Sequence, residues 1–544
     1  MKSVTAKLQT WNRKIDAIWE DSENIEQSQS EKEQKQNRAM QPQSDKEQKK
    51  NRAMQVRFDL LFVFGMGILL FYLAWILPFN EAPDEQMRYL IPTYIFKHGT
   101  LPSGWDEEVR NSLWGISYAF HPILPYIFGG YLMKVVGVFG GSEHALLMAA
   151  RSINVLLGMG FYWYVVKIAR ELFQRRLFRI YFIALLALLP QLLYLFVYVN
   201  TDGIALFSTA MIVYGWLEGL KRRWDRKSCT TLAVGVSVCA LSYFNAYGFA
   251  LFSIILFIGS LILFTGKKGA KLCTQIILKR GLYITAIVFL LCGWWFIRCA
   301  ILYDGDFLGL NAPAKCGELY AQEEYKPSVK KSLQEQGVSL EKMLKPESEG
   351  GMEWVRTTYR STIGYFGYLK YPLGIDIYSI HKRLLLLGVL GCICSLLFSA
   401  GTVLKRIRTG DGRSAGEKEK DRCFLLLQIS LGCCIIIPVL LSLVYSYTDD
   451  FQPQGRYIMP LILPLMYFAA AGTQRVTTLL FRKWVVYLVM IALFYAVFHV
   501  FFAAFVSVYI PTFVDSLEWM SEIRFPWFSN QKVITTFLSL FIPG

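Results

Sequence analysis

The sequence predicts an all-α polytopic membrane protein with about eleven transmembrane helices and two long outer loops. Three observations carry that expectation. The 544 residues are 54% hydrophobic and only 18% charged, with a mean hydropathy of +0.35, whereas a soluble chain carries roughly a quarter of its residues as charges. About ten apolar runs reach the ~20 residues a helix needs to cross the hydrocarbon core. The scarce charges are also uneven: five short segments (167–179, 221–227, 267–280, 405–422 and 474–483) hold 25 of the 57 Lys and Arg residues. A secreted disulfide scaffold, a coiled-coil rod and a soluble nucleic-acid binder are excluded, so the formal charge of +16 does not point to nucleic acid.

Basic residues accumulate in cytoplasmic loops, and that rule orders the elements. Residues 1–57 hold twelve bases and nine acids, whereas 80–145 hold seven acids and four bases. The N-terminus is therefore inside and 80–145 outside. Spans are expected near 58–79, 146–166, 177–199, 203–220, 230–246, 248–265, 281–302, 383–404, 423–446, 457–473 and 485–508. They leave the C-terminus outside. The 36-residue apolar run 230–265 is divided at the polar turn Asn245–Gly248. Residues 115–140 are apolar enough to span, but Pro122 and Pro125 break the first turns. A crossing there would also invert every later loop, so the segment reads as juxtamembrane or re-entrant.

The chain divides accordingly into a cytoplasmic tail (1–56), a membrane module with the first outer loop (57–302), an outer loop domain (303–382), C-terminal membrane helices (383–510) and an outer tail (511–544). The first tail repeats itself: EKEQKQNRAMQ at 31–41 returns as DKEQKKNRAMQ at 45–55. Charge-rich, aromatic-poor sequence of this kind reads as disordered. It is not a signal peptide, because the first apolar segment begins only near residue 56. The eleven cysteines show no CxxC or Cys/His metal spacing. Most lie in expected spans, where Cys acts as a small hydrophobe. In the second outer loop, 326–351 reads as a polar helix and linker. The aromatics Trp354, Tyr359, Tyr365, Phe366 and Tyr368 that follow read as an interfacial belt or a sugar-stacking surface, the belt being the simpler account.

Candidate chemistry lies at the outer membrane boundary. Glu81-Ala82-Pro83-Asp84-Glu85 follows the first span, and Pro83 stiffens the turn that presents Asp84. A carboxylate there acts as general base on a hydroxyl or ligates a divalent cation; alternatively the turn is a solvated cap on a helix at 85–97. His121, before Pro122, either helps bind phosphate or metal or is an interfacial histidine. Arg151 opens the second span. Asp202 is the only charge in a short turn before the fourth span, where Asp also suits an N-cap. Gln454-Gly455-Arg456-Tyr457 carries an arginine into the membrane, which is costly unless paired. Phosphate is one partner, through bidentate hydrogen bonds; Asp449 or Asp450 is another.

Taken in order, these residues resemble the GT-C superfamily of polyprenyl-phosphate-sugar-dependent glycosyltransferases. That superfamily includes protein O-mannosyltransferases, aminoarabinose transferases and bacterial lipopolysaccharide-core transferases. The resemblance is strongest over 58–225: one span, a PDE motif, a His-Pro segment, an Arg opening span two, a basic inner loop and an Asp-bearing outer turn. QGRY at 454–457 is similar to a group of bacterial membrane proteins with PDE early and QGRY-P late. The resemblance implies that Asp84 is the superfamily's outer-loop acid, a catalytic base or metal ligand, supported by Asp202 and Glu85. His121, Arg456 and Arg151 are then the phosphate-binding residues. Ile123 stands where relatives often have a second Pro, and the first outer loop has no DxD motif, so a divalent cation on Asp84 and Glu85 stays open.

The function this implies is an inverting hexosyl or pentosyl transferase of the bacterial cytoplasmic membrane. It would move sugar from a polyprenyl-phosphate donor in the lipid bilayer to an envelope acceptor, a glycan, lipid or protein, on the outer face, with no nucleic-acid partner. The rivals are a lipid-linked-glycan flippase or transporter, which requires polar residues lining the bundle centre, and a non-catalytic assembly protein, in which the acids do not converge. Separation of Asp84 and Asp202 by more than about 15 Å would exclude a shared site.

Overall fold

The computed structural model describes residues 42–265, 269–409 and 414–514. The first repeat copy, the rest of the tail before Pro42 and the C-terminal tail from 515 lie outside the described residues. Among those described, nine helices are long and apolar enough to cross a membrane: Ala53–Ile76, Glu143–Leu172, Asp202–Lys221, Phe244–Thr265, Ala270–Leu302, Ile375–Ser395, Ala415–Thr448, Gly455–Leu480 and Lys483–Val514. Each coincides with one expected span. The chain is an all-α membrane protein whose one described sheet is a two-stranded hairpin, Tyr365–Phe366 against Tyr371–Pro372.

The two other expected spans take different forms. Residues 177–199 break into α-helices Arg176–Ala187 and Pro190–Leu195. Pro190 has no N–H to donate and its ring crowds the carbonyl one turn back, so a continuous helix stops. Irregular backbone is tolerated at membrane depth when it is enclosed by protein, and Leu192–Tyr198 is fully buried. Helix Arg226–Ala240 has 15 residues, a length of ~22 Å against a core of ~30 Å. The helix Leu124–Val138 within 115–140 is equally short.

Two further expectations change. Residues 42–56, read as a disordered tail with helix as the alternative, continue the first span as one helix, Pro42–Ile76. Their Lys, Glu, Gln, Ala and Met are good helix formers and extend a helix already nucleated by the apolar run. The stretch 326–351 is mostly irregular, with one α-helical turn at Leu340–Leu344, because Pro327, Gly337, Pro346 and Gly350 interrupt it.

Ion pairs group the helix ends. Arg170 pairs with Asp59, Lys221 with Glu171 at 2.8 Å, and Arg223 with Glu419 at 3.1 Å. These residues share one end of the bundle. The opposite end gathers the acidic turn, Arg151, Asn200, Asp202 and Arg456. The aromatics after the second loop are mostly interior: Phe366 is enclosed with Tyr194, Phe505 and Tyr509. Trp354 is buried beside Leu333 and Met343 and donates to Ser446 Oγ at 2.9 Å. They build core rather than a sugar platform; Tyr368 is the exposed member.

The C-terminal helices meet at small residues, as membrane helices in close contact commonly do. Gly388 and Gly391 on helix Ile375–Thr409 face Ala469 and Gly472 on helix Ile462–Leu480, and a methyl on Gly391 would overlap the Gly472 carbonyl. Gly391→Ala is expected to lower stability by about 1–3 kcal/mol, read as a lower thermal midpoint in detergent. Gly432→Ala, whose methyl meets nothing within 4 Å, is expected to leave the midpoint unchanged.

Candidate functional site

The acidic turn is built around a buried ion pair. Arg151 and Glu85 are both fully enclosed. Arg151 Nε donates to Glu85 Oε1 at 2.8 Å and Nη2 to Oε2 at 2.7 Å. Its other donors close the end of the first helix: Nη1 reaches the carbonyls of Ala74 (2.8 Å) and Leu77 (2.5 Å), and Nη2 that of Pro78 (3.1 Å). These are the carbonyls a helix end leaves without intrahelical partners. Glu85 also accepts from the Val199 N–H at 3.1 Å and the Asn80 N–H at 3.2 Å. Every guanidinium donor of Arg151 is thereby used. Glu85 and Arg151, expected in catalysis and phosphate binding, are engaged with each other and hold three chain segments together.

Asp84 faces the other way. It sits at the N-cap of helix Glu85–His98 with φ 60° and ψ 15°, the left-handed region that Asp tolerates better than most residues. Its Oδ2 lies 2.6 Å from Arg456 Nη2 and 3.6 Å from Arg88 Nη2. Burial alone raises the Asp84 carboxyl. The charges of Arg456 and then Arg88, with hydrogen bonds from Arg456 and Tyr118, outweigh burial and hold it at about 2.

Arg88 stands between the two acids. Its Nη1 is 3.5 Å from Asp202 Oδ2, and its guanidinium lies 4.7 Å over the Tyr118 ring. Asp84 and Asp202 therefore flank a single guanidinium. Asp202 is the first residue of helix Asp202–Lys221. The turn before it is held by Asn154, whose Nδ2 donates to the Tyr198 carbonyl at 2.5 Å and the Asn200 carbonyl at 3.1 Å.

Arg456 arrives on a 3₁₀ turn, Gly455–Leu461. Gly455 N–H donates to Ser361 Oγ at 2.7 Å, and a Cβ there would collide with the Thr362 backbone. Arg456 Nη2 also donates to Tyr457 Oη at 2.9 Å, and Tyr457 Oη donates to Gln452 Oε1. The alternative partners of Arg456 are engaged elsewhere or apart from it: Asp450 pairs with Lys330 at 2.8 Å, and Asp449 is exposed.

His121 packs edge-on against Phe244. Burial, and then the Arg88 charge, push its ring down to about 4, with Asp306 opposing. The ring is neutral near pH 7, so it offers a hydrogen bond rather than the charge expected for neutralising phosphate.

A divalent cation fits this arrangement poorly. Asp84 and Glu85 point to opposite sides of the turn, and both Glu85 oxygens are engaged. Among the described residues no group of three or more His, Cys, Asp or Glu side chains is placed to hold a metal ion. What the site does offer is unspent hydrogen bonding. Arg88 Nε, Arg456 Nε, His121 Nδ1, Tyr198 Oη and Asp202 Oδ2 are buried with no hydrogen-bond partner among the described residues. Such groups are costly to leave unmade, so this end of the bundle holds several buried polar atoms able to meet a polar ligand. Sequence reading missed Arg88, Tyr118, Tyr198 and Asn154. Arg88 did carry a signal, an acid four residues earlier on one helix face.

A family model described as "Predicted membrane protein (DUF2142)" matches residues 109–466, and the chain belongs to that family. No curated protein matches it. Among solved structures, it is similar to the oligosaccharyltransferase of Archaeoglobus fulgidus in complex with zinc and sulfate, at TM-score 0.44 and 16% identity, over 81% of this chain and 52% of that one. The apo form gives 0.43 and 14%, over 81% and 56%. The A. fulgidus oligosaccharyltransferase AglB with an inhibitory peptide and a dolichol-phosphate gives 0.42 and 12%, over 82% and 56%. The chain spans about half the length of these proteins.

Two outcomes test the geometry. Glu85→Gln strands the Arg151 charge and is expected to cost about 3–5 kcal/mol of stability, measured by thermal unfolding in detergent, with part recovered in Glu85→Leu/Arg151→Met. For His121 the unfolded ring titrates near 6.5 and the folded ring near 4. The unfolded chain therefore binds the extra proton between those values, and stability falls as pH drops through that window. His121→Asn is expected to flatten that part of the stability–pH profile.

Proposed function

We propose that this member of the DUF2142 family is a membrane glycosyltransferase of GT-C type. It takes its sugar from a polyprenyl-phosphate donor and works on the outer face of the bacterial cytoplasmic membrane. The observation that carries the reading is that Asp84 and Asp202 flank the buried Arg88 guanidinium while Arg456, from a third distant part of the chain, pairs with Asp84, all at one end of the bundle. The order of motifs that resembles the superfamily supports it, and so does the basic character of the opposite end.

In this reaction the acceptor hydroxyl loses its proton to Asp84 as its oxygen bonds to the anomeric carbon. The bond from that carbon to the phosphate oxygen breaks, and polyprenyl phosphate leaves with the electron pair. Attack from the face opposite the leaving group inverts the configuration. Charge grows on the departing phosphate, where a fixed guanidinium stabilises it most. A carboxylate held near 2 by Arg456 is a weak base. When the donor phosphate takes the Arg456 donors, Asp84 loses its strongest partner and gains proton affinity as the acceptor arrives. Asp202 orients the acceptor or the sugar through its unpaired oxygen, and neutral His121 contributes a hydrogen bond. Glu85 and Arg151 act by holding the turn.

Purified protein supplied with radiolabelled polyprenyl-phosphate sugars and membrane acceptors tests the reading. Asp84→Asn is expected to lower transfer by at least ~100-fold, with folding checked by its elution profile and thermal midpoint, since the change also removes the charge partner of the buried Arg456. Equal transfer by both proteins would remove Asp84 from its role.

A further inference from the structure

We propose that Arg88 holds the position between Asp84 and Asp202 that a divalent cation would occupy, and that it binds the donor phosphate jointly with Arg456. The inference rests on the transferase reading of this site and specifies how that site handles phosphate without a metal.

The comparison with Arg151 carries the argument. Both arginines are buried, and both lie beside carboxylates of the same turn. Arg151 spends every donor at 2.5–3.1 Å, which is how a structural arginine repays its burial. Arg88 does not. Its two carboxylate contacts are long, 3.6 Å to Asp84 and 3.5 Å to Asp202, beyond a good charge-assisted hydrogen bond. Its Nε and Nη1 have no hydrogen-bond partner among the described residues. Its place is nevertheless fixed. It lies one turn after Asp84 on helix Glu85–His98, where its N–H donates to the Asp84 carbonyl at 3.1 Å, and the Tyr118 ring supports its guanidinium.

A buried cation held in position with donors unspent is arranged for an anion that comes and goes. Arg456 is partly spent: its Nη2 donates to Asp84 and Tyr457, while its Nε is unpaired. Two guanidinium groups around one acid can share a phosphate, each through its unspent Nε–H. A divalent cation on Asp84 and Asp202 would have to expel Arg88 from between them, and like charges at that spacing repel. The site therefore carries its counter-cation in the chain.

The test measures binding rather than turnover. Full-length protein in detergent is titrated with farnesyl phosphate and, separately, with inorganic phosphate, each in EDTA and in magnesium, for wild type, Arg88→Ala, Arg88→Lys and Arg456→Ala. Wild type is expected to bind farnesyl phosphate equally with and without magnesium. Arg88→Ala is expected to weaken it at least ~10-fold, with Arg88→Lys intermediate. Weakening of both ligands together assigns the site to the phosphate group itself. Weakening of farnesyl phosphate alone assigns it to a lipid-borne phosphate. The elution profile and thermal midpoint of Arg88→Lys control for folding. Loss of wild-type binding in EDTA, or unchanged binding by Arg88→Ala, overturns the inference. Arg88-dependent, magnesium-independent binding in a protein that transfers no sugar would instead overturn the transferase reading and leave this inference standing.

Discussion

The Glu85–Arg151 pair is the constraint on which the rest of the site depends. An unpaired charge at that depth would cost several kcal/mol, so the two residues must meet, and their meeting fixes three things together. The first helix must end where Arg151 can cover its last carbonyls. The turn after it must bend so that Glu85 points inward. The irregular stretch around Val199 must pass close enough to donate to the same carboxylate. With these settled, Asp84 turns away from Arg151 and toward Arg456 and Arg88. Its left-handed backbone is the visible consequence of turning two adjacent carboxylates to opposite sides.

The second half of the site is brought from more than 350 residues away, and a different device places it. Gly455 lies against the backbone of Ser361 and Thr362 so closely that no side chain fits, and Ser361 accepts its N–H. The helix Trp354–Ile363 thus acts as the seat for the QGRY turn. It is itself fixed by Trp354, whose indole donates to Ser446 on the long helix Ala415–Thr448. The hairpin that follows reaches the acidic turn, with Tyr368 Oη donating to Asn80 Oδ1 at 2.8 Å and Gly367 N–H to Tyr194 Oη at 3.2 Å. The later part of the second loop, which resembles no known pattern, is therefore joined to the site by hydrogen bonds.

The parts legible in the sequence were those written as local patterns. Long apolar runs gave nine of the spans, and the charge asymmetry assigned the acids and Arg456 to one end. The break within 177–199 was not legible, because hydropathy does not register Pro190, whose effect is on backbone hydrogen bonding. The roles within the acidic motif were not legible at all. Asp84 and Glu85 are adjacent carboxylates with nothing local to separate them. Only Arg151, 66 residues later, decides which is held in the buried pair and which faces Arg88 and Arg456. Arg88 was available as an i, i+4 partner of Asp84, but that spacing occurs on many exposed helices, and nothing local shows that it is buried. For His121 no local pattern shows the neutrality that comes from enclosure and from Arg88.

The resulting cluster is close to electrically balanced: two carboxylates, two guanidinium groups and a neutral imidazole. In a low-dielectric setting that balance makes the cluster tolerable to the fold, because each charge has a counter-charge within a few ångströms. It also makes the cluster responsive. An entering anion must compete with a carboxylate for each guanidinium, and it succeeds more readily where contacts are long and donors unused, as at Arg88, than where they are short and complete, as at Arg151. Whatever carboxylate it displaces is left in a buried place without its partner, and its proton affinity rises. Under the proposed reaction, anion binding and base formation are then one event. A carboxylate that would be too weakly basic while clamped becomes competent once the leaving group's phosphate occupies the clamp, so the hydroxyl is not activated before there is a donor to attack.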